Sequence, residues 1–219
     1  MSARNSAGDA VLPVYLAVDV SASITREARA DVDRVLADIE RTSSGELVSH
    51  VRIAYIQFAE RAHVLEPLRE QPGIGGFPPR SFGGTTNLAA LFTLLGRQVT
   101  SDVRRLALAG FRVCRPVVLL ITDGQFGPDW EPAFCLLTEY DTATGEGFFC
   151  YPFVVPLGVG RCDRETLREV AHPPFIAGLA ESVRGREAAV LSRLYDTLST
   201  SFVAIGSPSK TAYDEDDFV

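Results

Sequence analysis

The sequence predicts an α/β fold in three layers: a mostly parallel central sheet with one antiparallel edge strand and helices on both faces. Three observations carry this. The runs VYLAVDV (14–20), PVVLLIT (116–122) and FVVPLGV (153–159) are apolar almost without a break, as strands covered on both faces must be. Stretches with apolar residues at helical spacing lie between them, and that alternation implies right-handed crossovers and a parallel sheet. Two of the runs end at an aspartate, on the carboxyl side of the sheet where such folds place their binding crevices.

Taken in order, residues 1–10 are small and polar and read as a disordered lead-in. A single domain is expected over 11–206, opening with the strand 14–20. Ile24, Ala28, Val32, Val35, Leu36 and Ile39 then share one helical face, and Ser43-Ser44-Gly45 ends that helix. HVRIAYIQFA (50–59) is a strand, and AHVLEPL (62–68) its antiparallel neighbour, closed at Pro67. The Gly/Pro-rich stretch 72–84 has no periodicity and is a loop. A helix runs from Leu88 to about Leu108, with Leu91, Leu94, Leu95 and Val99 facing inward. After the strand 116–122, GQFGPDWEPAF leads into a short element. Residues 139–149 read as a hairpin tip around Thr144-Gly145. The strand 153–159 precedes a helix capped by Asp163. FIAGL (175–179) is assigned to a short edge strand. Ala189, Leu191, Leu194, Leu198 and Phe202 mark a closing amphipathic helix over 185–204. Residues 207–219 form an acidic, flexible tail.

Bulk properties narrow the function classes. Of 219 residues, 46% are hydrophobic and 22% charged, ordinary for a globular domain with a sizeable core. The net charge is −7, which disfavours nucleic acid and anionic membranes as main partners. Cys114, Cys135, Cys150 and Cys162 show no CxxC spacing, so a zinc site is disfavoured and mostly buried, reduced thiols are expected. With no leader pattern and no membrane-length apolar run, a cytoplasmic protein without membrane insertion is the expectation.

Three oxygen-rich features should meet at the strand ends. Asp19, Ser21 and Ser23 alternate after the first strand, Gly83-Gly84-Thr85-Thr86 closes the Gly/Pro loop, and Thr122-Asp123-Gly124 follows the strand 116–122. Carboxylates and hydroxyls are hard donors that suit Mg²⁺ or Mn²⁺ rather than zinc or copper, with Ca²⁺ a looser alternative. If hydroxyls fill much of the coordination shell, the ion retains positive charge and seeks an Asp or Glu oxygen from a second protein. Asp19 as a strand-to-helix cap, and Ser21 or Ser23 as N-caps, are the plainer readings of each residue alone. Thr86 and Asn87 are assigned to capping the following helix.

These residues resemble the metal-ion-dependent adhesion site (MIDAS) of von Willebrand factor A (vWA) domains: DxSxS, a threonine on a separate loop, then an aspartate after a core strand. Asp19, Ser21, Ser23, Thr85 and Asp123 match that order. The stretches LPVYLAVDVSAS, FPPRSFGGTTNLAAL, LLITDGQFGPDW and PLGVG resemble the bacterial TerY-like group linked to tellurite resistance and stress response. Gln125 departs from the acidic residue that often follows DG there, and no zinc ribbon is present. The resemblance implies a Rossmann-like fold, a metal-dependent protein-binding (adhesion or scaffold) role, no enzymatic activity, and partners among kinase- or phosphatase-like stress proteins. The loops 72–84, 124–130 and 139–149 would rim the contact, with Phe77, Phe82, Phe126 and Trp130 as apolar contacts or as internal packing. The acidic tail, Asp214 to Asp217, could compete for the same site.

The alternatives are a metal-dependent phosphohydrolase using Asp19 as nucleophile, or a purely structural domain. Ser21 stands where aspartyl-phosphate phosphatases usually carry a second aspartate, and no Walker-type loop or GxGxxG follows the first strand. His50, His63 and His172 are too scattered for a catalytic triad.

Overall fold

The computed structural model describes residues 9–42, 50–69, 78–141 and 143–177. Strand β1 (Ala10–Asp19) lies in the middle of a six-stranded sheet, parallel to β2 (Val51–Phe58) on one side and to β5 (Val117–Thr122) on the other. β3 (Ala62–Arg69) adds antiparallel to β2, and β6 (Phe153–Gly158) adds parallel to β5. The two-residue β4 (Arg112–Val113) pairs with the start of β1. Helices α1 (Arg26–Thr42), α2 (Leu88–Leu108), α3 (Glu131–Thr138) and α4 (Arg164–Glu169) complete the described elements.

The two-residue period of a strand sorts the side chains into two cores. Leu12, Val14, Leu16 and Val18 of β1 join Ala28, Val32, Val35, Leu36 and Ile39 of α1. Val11, Tyr15 and Ala17 turn to the opposite face and meet Leu91, Phe92, Leu95, Val99 and Val103 of α2. Both faces of β1 are therefore covered, which is why its sequence reads as a continuous apolar run. Tyr15 is buried and its hydroxyl donates to Asp102 of α2 at 3.2 Å. Gln98 and Arg105 also donate to that carboxylate, so the buried oxygens are satisfied.

Among the described residues the expected elements form, with four differences. β1 begins at Ala10, four residues before the expected start. β4 was not expected, because two residues display no periodicity. Pro67 does not close β3, which continues to Arg69 through a register irregularity; on this edge strand the proline is exposed and displaces no ladder bond that a central strand would need. Ile176 and Ala177 are not strand: their N–H groups bond back to Pro173 and Pro174 as a helical turn. The hairpin at 139–149 is present as a Tyr140–Gly147 bridge, with Gly145 at φ 76°. The helix end at 43–45, the closing helix at 185–204, Phe77 and the acidic tail lie outside the described residues. Cys114 and Cys150 are buried free thiols, but Cys135 is exposed, because α3 is amphipathic and turns that side outward.

The outer edge of β6 is bridged by His172, which exchanges backbone hydrogen bonds with Val154. Its ring lies edge-on to Phe134 and Tyr151. Burial, and then the nearby Arg115 cation, lower its pKa below the ordinary 6.5. A depressed histidine leaves the fold fully stable above the unfolded value and costs stability as pH falls below it. His172→Phe keeps the ring contacts without the titration. Thermal melts of this variant should therefore decline less than the parent's between about pH 7 and about pH 5.

Candidate metal centre

Asp19 ends β1 and Asp123 follows β5, two neighbouring parallel strands paired as far as Val18–Ile121. Their carboxylates thus emerge side by side at the carboxyl edge of the sheet. Asp19 and Ser21 are fully buried, Asp123 nearly so, and Ser23 partly. The backbone N–H of Ser21 donates to Asp19 Oδ1 at 2.9 Å, folding the chain back over the carboxylate. Ser23 Oγ donates to Asp123 Oδ1 at 3.3 Å and lies 2.9 Å from Ser21 Oγ. Either serine hydroxyl can donate to the other, so the pair links the Asp19 turn to Asp123. Neither serine caps α1; Thr25 Oγ1 accepts from the Ala28 N–H instead.

The loop that carries Thr85 is tied to the turn after β1. Gly83 N–H donates to Val20 O at 2.8 Å, and Ala22 N–H donates to Gly84 O at 2.9 Å, lacing the 83–84 segment onto the DxSxS turn. Thr85 is exposed and its hydroxyl has no hydrogen bond among the described residues. Asn87, one turn on, caps α2 by accepting from Ala90 N–H.

Thr122 is the residue that sequence reasoning missed. Buried at the end of β5, it donates to Asp19 Oδ2 at 2.7 Å. It stood within an oxygen-rich feature of the sequence, but nothing there marked it as the partner of Asp19. With Ser21 and Thr122 on opposite oxygens, Asp19 is held in one orientation. Burial raises its pKa; the Ser21 and Thr122 hydrogen bonds oppose this, and the Asp123 charge adds to it. That balance describes a buried carboxylate with no positive partner among the described residues.

Asp123 is held from both sides. Gln125 N–H donates to its Oδ1 at 3.0 Å, and Asp163 N–H donates to its backbone oxygen at 3.2 Å. Gly124 has φ 76°, and a Cβ there would stand 3.1 Å from the Asp163 carbonyl oxygen, so the turn after Asp123 requires glycine.

The donor set fits a hard divalent cation. Among the described residues no three His, Cys, Asp or Glu side chains form a metal-holding group. A cation here would rest on two carboxylates and neutral hydroxyls, the oxygen chemistry that suits Mg²⁺ or Mn²⁺. Beside the cluster lies a cleft of about 460 Å³ lined by Ser23, Asp123, Gln125 and Arg161, among others. Of the aromatics expected as rim contacts or internal packing, Trp130 is 7% exposed, and Phe82 and Phe126 are half-buried against the two cores. Their apolar area is better spent there than in water.

No family model and no curated protein matches the chain. Solved structures do. Proximal thread matrix protein 1 from the mussel byssus is 15% identical with TM-score 0.56, over 84% of this chain and 49% of that one. This chain thus spans about half the length of that relative. A further crystal of the same byssal protein, with a zinc occupied MIDAS motif, is 16% identical with TM-score 0.51, over 85% of this chain and 47% of that one. An aerotolerance-related membrane protein from Bacteroides fragilis is 18% identical with TM-score 0.51, over 84% and 99% of the two chains. Manganese-loaded Plasmodium vivax TRAP protein is 17% identical with TM-score 0.53, over 73% and 62%. Likeness at such identities speaks to architecture alone, and together with the strand order it establishes the Rossmann-like α/β fold of vWA domains for this chain.

Proposed function

We propose that this chain is a metal-dependent protein-binding module. Asp19, Ser21, Ser23, Thr85 and Asp123 would hold one Mg²⁺ or Mn²⁺, and the partner would contribute an Asp or Glu carboxylate. The observation that carries the reading is the hydrogen-bonded chain Ser21–Ser23–Asp123 beside a buried Asp19, at the carboxyl ends of adjacent strands. The zinc and manganese held by two proteins of this fold support a divalent ion.

The chain's own residues do the preparatory work. Thr122 and the Ser21 N–H fix the Asp19 carboxylate, and Gln125 N–H fixes Asp123. The serines offer hydroxyl oxygens without adding negative charge. A bound divalent cation would therefore keep enough positive charge to accept an anionic oxygen from outside. Losing such a cation from a complex leaves the partner's carboxylate unpaired, at a cost of about 2–5 kcal/mol.

An enzymatic reading is less well supported. Asp19 is fully buried with both oxygens engaged, which is unsuited to a nucleophile that must reach a phosphorus atom. The resemblance to TerY-like proteins supports a bacterial stress-response or tellurite-resistance setting in the cytoplasm, with kinase- or phosphatase-like partners. No described helix is long and apolar enough to cross a membrane.

The test is a pull-down with the full chain in Mn²⁺ and in EDTA, read by mass spectrometry. Partners retained in Mn²⁺, released by EDTA and lost with Ser23→Ala are the expected result. Retention indifferent to both EDTA and Ser23→Ala overturns the proposal.

A further inference from the structure

The 460 Å³ cleft shares Ser23 and Asp123 with the candidate metal centre, and Arg161 also lines it. Arg161 is exposed and makes no ion pair or hydrogen bond among the described residues. Most other described arginines are engaged: Arg80 with Asp33, Arg105 with Asp102, Arg69 with Glu66, and Arg115 over Tyr151.

The loop that presents Arg161 is fastened to the candidate centre at three points. Val159 N–H donates to Thr122 O, Asp163 N–H donates to Asp123 O, and Gly160 N–H donates to Asp31 Oδ2 of α1 at 3.0 Å. Gly160 has φ 60°, and a Cβ there would stand 2.8 Å from the Ala28 Cβ. Only glycine allows the loop to lie this close to α1. The backbone at Arg161 is thus fixed relative to the two residues that carry the candidate ligands.

We infer that this face recognises a protein segment bearing two neighbouring acidic side chains, the first at the metal and the second at Arg161. The inference rests on the metal-dependent binding proposed above and names what the partner presents. The cleft wall also holds hydroxyl and amide donors, Thr25 and Gln125, whose side chains suit a carboxylate. Glu27 lines the same cleft. Its charge opposes an incoming carboxylate, so a single acid at the metal gains nothing from this wall, while a second acid placed on Arg161 gains a partner. The contact is solvent-facing, so its worth is modest and falls with salt.

The experiment is selection of random displayed peptides on the Mn²⁺-loaded full chain, with EDTA elution, followed by affinity measurement on synthetic versions of the enriched sequences. The parent should enrich paired acids. Arg161→Gln should enrich single acids and bind the paired-acid peptides roughly two- to fivefold more weakly, the scale of an exposed ion pair. Its affinity for peptides with one acid should be unchanged. Glu27→Gln should tighten the paired-acid peptides by a similar factor. An EDTA-eluted pool with single acids only, or one unaffected by Arg161→Gln, overturns this inference and leaves the metal-dependent reading standing. No EDTA-eluted pool at all, or one that survives Ser23→Ala, overturns both.

Discussion

Asp19→Asn is expected to abolish Mg²⁺ and Mn²⁺ binding while leaving the metal-free protein at least as resistant to unfolding as the parent. Two opposed effects give this sign. The Asp19 carboxylate is buried beside Asp123, and burial raises its pKa, so its charge weighs against the folded state when no cation is present. Asparagine removes the charge, keeps the volume, and still accepts the Ser21 N–H on its oxygen. The Thr122 hydroxyl can rotate and accept from the new amide. The metal-bound state loses a charged ligand that nothing replaces. Calorimetry should show one site per chain in the parent and none in the variant. Metal at about a hundredfold above its dissociation constant should stabilise the parent by about 2.7 kcal/mol and the variant not at all. A variant that still binds metal with parent affinity would remove Asp19 from the ligand set. A variant that fails to fold in EDTA would mean that the carboxylate is needed for the turn itself.

The fold and the candidate site differ in how far they can be read from the chain. β5 was legible because six consecutive buried residues leave no other reading for PVVLLIT. The α1 and α2 faces were legible because each packs against one side of a flat layer and so keeps strict helical spacing. β4 was not, since its two residues are strand only because Ala10 and Val11 lie beside them. At the site, the DxSxS turn carries its own signature, and Asp123 is marked by the strand before it. Thr122 and Arg161 carry no such mark. A threonine in a strand reads as ordinary β-propensity, and Gly158-Val159-Gly160 reads as a turn. That the turn folds back on Thr122 and Asp123 is a tertiary fact set by β5 and β6 lying side by side. The aromatics were left open between rim contact and internal packing for a related reason: an aromatic residue near a binding loop has the same appearance in sequence whether it faces a partner or the core.

Trp130→Ala is expected to be strongly destabilising, and it separates those two roles. Trp130 leads into α3 and meets Phe92, Phe126 and Phe134 edge-on, with ring centroids 6.4, 6.0 and 5.5 Å away. Phe92 belongs to α2 and Phe134 to α3, so the indole joins the two helices on this side of the sheet, while Phe126 ties in the loop that leaves Asp123. Truncation to alanine removes the ring volume and leaves a cavity, at a cost of about 3–5 kcal/mol. Edge-to-face pairs contribute about 0.5–1.5 kcal/mol each beyond area, so Trp130→Phe should recover part of the loss. Set against total stabilities of about 5–15 kcal/mol, the alanine variant should show a large fall in urea midpoint. Metal affinity of the folded fraction should change little, because Asp123 is held by the Gln125 and Asp163 N–H groups, neither of which involves the indole. A packing residue therefore moves the midpoint and spares binding. If Trp130→Ala instead kept the parent's midpoint and weakened partner binding, the indole would be a contact on the rim, and the loop 124–130 would have to open outward to present it.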